Sequence, residues 1–375
     1  MLRNTYRYKG EIMRSNSRKR RDEFNAGIES TFRKHKARKA AKLRLKRMNG
    51  GYKCDKEYEE VVVPYWERFG YKPAKYWFEM YCDREQKIDP RYIPNDLYLG
   101  ELVPYFSNAE FRRFGEDKCY HDVWFPEMKR PATICKNIAG VFYDADMNVI
   151  DKEQALRLCL EFNDEFLIKP SVDSGEGRLI VFFEPGEANL TSLTEVFNDI
   201  DCNFVVQAAV KQHPLLARLN ESSVNTIRPI TFFFEGEVHL LSINLRIGGS
   251  GSKVDNVGAG GYACAVEPDG SVRPVAINRK SEEITATESG IKFSEIEIPN
   301  FDEIIKLAKE SQKKLAHFKL IGWDFSVDEA GDPVLIEFNT CPGMNQMTYG
   351  PMFGDLTDKV LEEYFITKTL KNAQN

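Results

Sequence analysis

No apolar stretch in this 375-residue sequence approaches the roughly 20 residues that a membrane-spanning helix requires. The opening MLRNTYRYKGEIMRSNSRKRR lacks the apolar core of a signal peptide, so a secreted product is not expected. The eight cysteines include no CxxC pair, which argues against a zinc site or a disulfide framework. Free thiols in a reducing cytoplasm are expected instead. No internal repeat is evident. A Walker A loop is also missing. Gly248-Gly249-Ser250-Gly251-Ser252-Lys253-Val254 imitates one, but Ser252 stands where glycine must precede the lysine, and Val254 stands where Ser or Thr must follow it.

Negative charge is scarce in only one place. Residues 1–50 carry 17 Lys and Arg against 4 Asp and Glu, a net +13, while the rest of the chain carries 35 against 53, a net −18. An acidic main body does not suit a nucleic-acid enzyme. The basic segment reads as an appendage, helical over Glu29–Met48 and ended by Gly50-Gly51. It is read either as a solvated helix or as an arm touching an anionic membrane face or an acidic partner. The protein would then be cytoplasmic, peripheral to the inner membrane face.

With 42% apolar residues the remainder can bury a substantial core. Residues 51–116 are rich in aromatics and prolines, and are read as short helices with breaks at the prolines and aromatics in the core. From residue 117 strands and helices alternate. The fold class is α+β, with antiparallel sheets covered on one side by helices. FDEIIKLAKESQKKLAHF is one such helix, placing Ile304, Ile305, Ala308 and Leu315 on one face.

The richest stretch is a hairpin, IGWDFSV and PVLIEFNT, joined by Asp328–Asp332. If Asp328 pairs with Pro333 across the loop, Asp324 falls opposite Glu337. Like charges in directly opposed positions destabilise a sheet, and a cation between them removes the penalty. Asn339 lies two residues beyond Glu337 and shares its face. Two carboxylates and an amide oxygen are hard ligands suited to Mg²⁺ holding nucleotide phosphates.

Other elements are less decisive alone. Lys169 ends the strand EFLIKP and leads into Ser171–Arg178, whose Ser174, Gly175 and Gly177 could cradle phosphate or simply form a flexible turn. Gln207, Ala208 and Val210 end a strand in a polar step that offers backbone groups to an adenine edge, or is an ordinary buried strand. Arg228 and Arg246 lie on adjacent predicted strands, where buried arginines must clamp an anion or pair with an acid. Pro229 suggests that the first of these strands is an edge or carries a bulge. Asp255, Asn256, Gly260 and Gly261 belong to a polar loop that is either substrate-facing or a plain connector.

Taken in order, Lys118, Lys169 with its glycine loop, Gln207, Arg228, Arg246, Asp324, Glu337 and Asn339 resemble the ATP-grasp superfamily. Glu337-Phe338-Asn339-Thr340-Cys341-Pro342-Gly343 is similar to the Glu-x-Asn-Thr-x-Pro-Gly signature of D-alanine–D-alanine ligases. Over residues 52–365 the chain most resembles the sugar-transfer-associated ATP-grasp family, on VVVPYWERFGYKP, YIPNDLY, QHPLLARLNESSVNTIRPIT and DNVGAGGYACAV.

The resemblance implies an ATP-grasp fold, with ATP between two α+β subdomains at 117–205 and 206–366. Residues 1–50 would be a helical extension, 51–116 a helical preamble and 367–375 a tail. It implies that Lys118 and Lys169 hold phosphate, Ser174–Gly177 cover it, and Gln207–Val210 form the adenine hinge. Asp324, Glu337 and Asn339 would bind two Mg²⁺ ions, Mn²⁺ being the alternative. The implied activity is a carboxylate–amine ligase acting through an acyl phosphate, in surface-polysaccharide or cell-envelope biosynthesis. Such chemistry needs positioning and charge neutralisation rather than a protein nucleophile. The alternatives are a phosphotransferase on a sugar or amino-acid derivative, and a non-catalytic nucleotide-binding partner of glycosyltransferases, contacted through the basic arm. One departure stands out: Gly322 replaces the arginine that D-alanine ligases carry two residues before the first metal acid, a role left to Arg228 or Arg246. D-alanine is not the expected substrate, because Met344-Asn345-Gln346-Met347 lacks that family's substrate-binding serine.

Overall fold

The computed structural model describes residues 27–172, 179–255, 260–278 and 280–374. The chain divides into two compact units, residues 1–105 with 355–375, and residues 106–354.

The first unit is helical. A helix over residues 27–47 ends where Gly50 and Gly51 adopt φ of +95° and +65°, a conformation that glycine takes without strain. Its basic side chains are partly consumed at home: Lys34 pairs with Glu101 at 2.6 Å and Arg38 with Asp96 at 2.7 Å. Trp66, Trp77, Phe78 and Tyr98 are fully buried, so the aromatics of this segment build its core. The expected breaks at proline do not occur at Pro64 and Pro104. Each helix instead widens by one residue just before its proline, over Tyr58–Val62 and Tyr98–Leu102. The N–H groups of Val63 and Val103 reach five residues back, to Tyr58 and Tyr98. A wider turn accommodates a residue that lacks an N–H and crowds the carbonyl four residues earlier. The helix Thr357–Gln374 completes the unit.

The second unit holds two antiparallel sheets. The smaller has the order β3-β2-β1-β6-β4-β5. It comprises β1 Thr133–Ile138, β2 Val141–Asp144, β3 Val149–Ile150, β4 Phe166–Pro170, β5 Val181–Phe183 and β6 Phe204–Ala208. Phe166, Ile168, Phe204 and Val206 face a core shared with the helices Lys152–Glu161 and Leu190–Ile200. Both helices open on capping boxes, at Asp151 and Asn189. Strand alternation therefore turns Leu167, Lys169, Val205 and Gln207 to the opposite face.

The larger sheet has the order β11-β10-β9-β8-β7-β12-β13. Its strands are β7 Thr226–Phe234, β8 Glu237–Ile247, β9 Tyr262–Val266, β10 Val272–Asn278, β11 Glu283–Ile284, β12 Leu320–Val327 and β13 Pro333–Asn339. Ile227, Ile243, Leu245, Trp323 and Phe325 pack with Ile304, Ala308 and Leu315 from the helix Phe301–Gln312 and the turn after it. The intervening residues, among them Arg228, Asn244, Arg246 and Asp324, occupy the other face.

β7 lies between β8 and β12, so Pro229 is not on an edge. It is tolerated because the β7–β12 ladder pairs Gly322 with Ile230 and Phe325 with Ile227 and skips the residues between, and because a bulge follows at Ile230/Thr231 on the β8 side.

Candidate active site

Asp324 and Glu337 are cross-strand partners, although the hairpin reaches that register by another route. It closes on Val327 opposite Pro333, one residue earlier than expected on β12, and a bulge between Asp324 and Phe325 leaves Ile336 as the extra residue. The bulge restores Asp324 to Glu337 and places the consecutive Ile336 and Glu337 on one cleft wall.

That cleft has a volume of about 340 Å³. Its apolar end is formed by Leu167, Ile180 and Phe182, and its charged end by Lys118, Lys169, Arg228, Arg246, Asp255, Asp324 and Glu337. Gln207, Ala208, Val210 and Asn339 also line it.

The charges are arranged in pairs with one exception. Arg228 donates from Nε and Nη2 to the two oxygens of Asp324, and Arg246 Nη1 lies 3.5 Å from Asp324 Oδ1. Arg246 also reaches Asp255 at 3.4 Å, and Thr226 donates to the other Asp255 oxygen. Burial pushes the Asp255 carboxyl upward, and Arg246 opposes that. Glu337 meets Lys118 at 3.2 Å. Burial alone would raise the Glu337 carboxyl, but Lys118, Lys169 and Arg228 hold it down at about 2. The exception is Lys169, only 6% exposed and with no ion-pair partner among the described residues. Burial, reinforced by Lys118, lowers its ammonium to about 8. A desolvated cation without a counterion is a receptor for an anion.

Backbone ties place the two lysines together. Asp117 caps the turn carrying Lys118, accepting from Cys119 N–H at 3.0 Å. Lys118 N–H donates to Ser171 C=O at 3.0 Å, just past Lys169, and Ser171 N–H donates to Asn203 C=O at 2.7 Å. Glu116 accepts from both the backbone and the hydroxyl of Thr340, at 2.7 and 2.8 Å, next to Asn339.

At the apolar end, Ala208 N–H is taken by Ala132 C=O and Ala209 N–H by Glu165 C=O. Among the described residues Val210 N–H has no backbone partner.

Ser174, Gly175, Gly177 and Asn256 lie outside the described residues. Gly260 and Gly261 do not line the cleft; Gly260 packs its carbonyl against Gly249 where the loop rejoins β9. Lys253 has a place in the site even though its loop is no P-loop. It pairs with Glu184 at 2.6 Å and Glu165 at 3.4 Å, and lies 5.0 Å from the Phe182 ring. It thus links the β8–β9 loop to the smaller sheet. Sequence reasoning missed Glu116, Lys253 and the apolar trio. Only the trio carried a signal: Leu167 alternates with the buried Phe166 and Ile168 and pairs across the sheet with Phe182.

Residues 128–360 match the family described as sugar-transfer associated ATP-grasp. The chain belongs to that family. Its two antiparallel sheets and covering helices are therefore the ATP-grasp fold, and the match takes in every cleft residue named above except Lys118. No curated protein is detectably similar in sequence. Solved structures resembling this ATP-grasp chain include an L-amino acid ligase from Bacillus licheniformis, at 12% identity over 65% of this chain and 47% of that one, with a TM-score of 0.36. A D-alanine–D-alanine ligase from Bacillus anthracis matches at 16% identity over 69% of both chains, with a TM-score of 0.38. D-alanyl-alanine synthetase A from Vibrio cholerae matches at 12% identity over 68% and 65%, with a TM-score of 0.41. The chain thus spans about half the length of the first and about two thirds of the others.

Proposed function

We propose that the protein is an ATP-dependent carboxylate–amine ligase. One observation favours this reading over a phosphotransferase. Among the described cleft residues there is no histidine, and the three carboxylates, Asp255, Asp324 and Glu337, are each paired with a cation. A hydroxyl acceptor needs a base to take its proton. A carboxylate attacks phosphorus already ionised, and an amine attacks carbon with its own lone pair.

In the proposed reaction the adenine lies against Leu167, Ile180 and Phe182, with its edge toward Val210 N–H. The phosphates approach Lys169 and Lys118. A carboxylate oxygen of the acid substrate attacks the γ-phosphorus, the bond to the bridging oxygen breaks, and ADP leaves. The free-base amine then adds to the acyl carbon, the C–O bond to phosphate breaks, and the departing phosphate carries that oxygen and takes up the proton the amine sheds. Arg228 and Arg246, fixed by Asp324 and Asp255, face the charge that develops on the acyl oxygens.

Asp324, Glu337 and Asn339 suit Mg²⁺ by their chemistry. Among the described residues no three His, Cys, Asp or Glu side chains cluster, so the set is two carboxylates and an amide. Glu337 is ionised, whereas Asp324 already meets Arg228 on both oxygens, Arg246 at 3.5 Å and Asn339 Nδ2 at 3.4 Å, so a metal held there would replace the longer of these contacts. When bound, Mg²⁺ would neutralise phosphate charge. The family's association with sugar transfer supports a substrate such as a uronic acid or amino acid used in surface-glycan assembly.

A screen of amino acids and uronic acids with Mg-ATP and hydroxylamine tests the reading. The expected result is a hydroxamate with ADP and phosphate. Release of AMP and pyrophosphate, or a stable phosphorylated product, would overturn it.

A further inference from the structure

The helix over residues 27–47 has two unlike faces. On the inner one Ala37 and Ala41 are buried, each 4% exposed, and Lys34 and Arg38 are paired with acids. The outer one is defined by helical geometry. At about 100° per residue, Ile28, Phe32, Lys36, Lys39, Leu43 and Lys46 fall within an arc of about 80°. All six are exposed, and no other residue of the helix falls in that arc. Ile28, Phe32 and Leu43 are 55%, 67% and 52% exposed. Lys36, Lys39 and Lys46 have no ion-pair partner among the described residues, and the stripe contains no acid.

This composition selects its partner. A second helix or an apolar groove would have to bury three lysines in the seam, which is penalised. A purely acidic surface would leave Phe32 and Ile28 in water. A phospholipid surface takes both kinds of side chain: apolar groups enter the boundary between headgroups and acyl chains, while lysines lie on lipid phosphates. The net charge of +13 on residues 1–50 has the sign that an anionic leaflet attracts. Among the described residues no helix is long and apolar enough to cross a membrane, so the contact is one of lying on the surface.

We propose that the stripe Ile28–Phe32–Lys36–Lys39–Leu43–Lys46 docks the protein on an anionic phospholipid surface. The inference is independent of the nucleotide cleft and of the reaction assigned to it.

Co-sedimentation of the full chain tests it, using vesicles of phosphatidylcholine and vesicles of equal parts phosphatidylcholine and phosphatidylglycerol. Binding is expected to the second and not the first, falling as salt is raised. Each lysine contributes about 1 kcal/mol near such a surface, a factor of about five. The variant Lys36→Gln/Lys39→Gln/Lys46→Gln, whose glutamines keep helix propensity, should therefore bind at least tenfold more weakly. Ile28→Ser/Phe32→Ser should weaken binding at constant charge. Circular dichroism establishes that each variant keeps its fold. No binding of the parent to anionic vesicles, or binding unchanged in either variant, overturns the proposal; the former would leave a protein as the stripe's partner.

Discussion

Gly322 leaves the space in which Arg228 lies across β12 to reach Asp324. A Cβ at position 322 would sit 3.9 Å from Arg228 Cδ and 3.0 Å from Pro342 Cβ. Arg228 thus reaches Asp324 from the neighbouring strand across the bare backbone of Gly322, and an arginine at 322 would compete with it for one volume. Gly322→Ala is expected to force a shift of Pro342 and destabilise the protein by about 1–3 kcal/mol, read from the denaturant midpoint. Gly322→Arg should go further and abolish ATP turnover, because Arg228 would be displaced from Asp324. Wild-type turnover by Gly322→Arg would refute this arrangement.

Lys169 is expected to trade stability for binding. Its ammonium titrates near 8 in the folded protein, against 10.5 when unfolded. Below the lower value both states are protonated, and folding bears the full penalty of about 3 kcal/mol. As pH rises from 8 to 10.5 the folded state sheds the proton first and stability rises. Lys169→Met should therefore raise the melting temperature at neutral pH and remove this pH dependence. It should also weaken ATP binding by about ten- to a hundredfold, the loss of one or more charge-assisted bonds. A variant that melts lower and binds ATP normally would contradict both halves.

Glu337 behaves in the opposite sense. Its carboxyl is held at about 2, below the unfolded 4.5, so its stabilisation is complete above 4.5 and disappears as pH falls toward 2. Glu337→Gln leaves Lys118 without its ion-pair partner and removes the longer-range attraction that Glu337 exerts on Lys169. We expect a loss of about 3–5 kcal/mol at neutral pH, and unfolding curves that no longer steepen between pH 4.5 and 2. Equilibrium denaturation across that range checks it.

Lys253→Ala should raise the KM for ATP by no more than about fivefold with little change in kcat. Its partners Glu184 and Glu165 are exposed or half-buried, and such pairs are worth about 0–1 kcal/mol. Steady-state kinetics at two salt concentrations is the measurement, and the difference between parent and variant should shrink at high salt.

Much of this was legible in the sequence because strand alternation and opposed charge are local signals. The pairing of Asp324 with Glu337, the strand ending at Lys169 and the helix facing Ile304 and Ala308 all follow from spacing along one or two neighbouring segments. Other features depend on contacts between distant segments. Nothing near Glu116 announces that Thr340 needs an acceptor, and nothing in Gly248–Val254 indicates that Lys253 meets Glu184. The like-charge pair of Asp324 and Glu337 also meets cations from distant segments, Arg228 and Lys118, which spacing within the hairpin does not announce. The hairpin register matches the expected one although the tip differs, since the extra residue Ile336 offsets a turn one residue longer than expected. Pro64 and Pro104 were read as interruptions because the widened turns that absorb them have no sequence pattern of their own.

The position of Lys253 has a kinetic consequence. It spans from the β8–β9 loop to the open end of the β4–β5 hairpin, near the Phe182 ring at the apolar end of the cleft. A nucleotide seated beneath it would be shut in, and spent ADP could escape only after the lysine lets go of Glu184. A pair worth about 0–1 kcal/mol opens readily, so this latch would bear on nucleotide capture more than on the pace of turnover, and salt, which loosens it, would weaken capture.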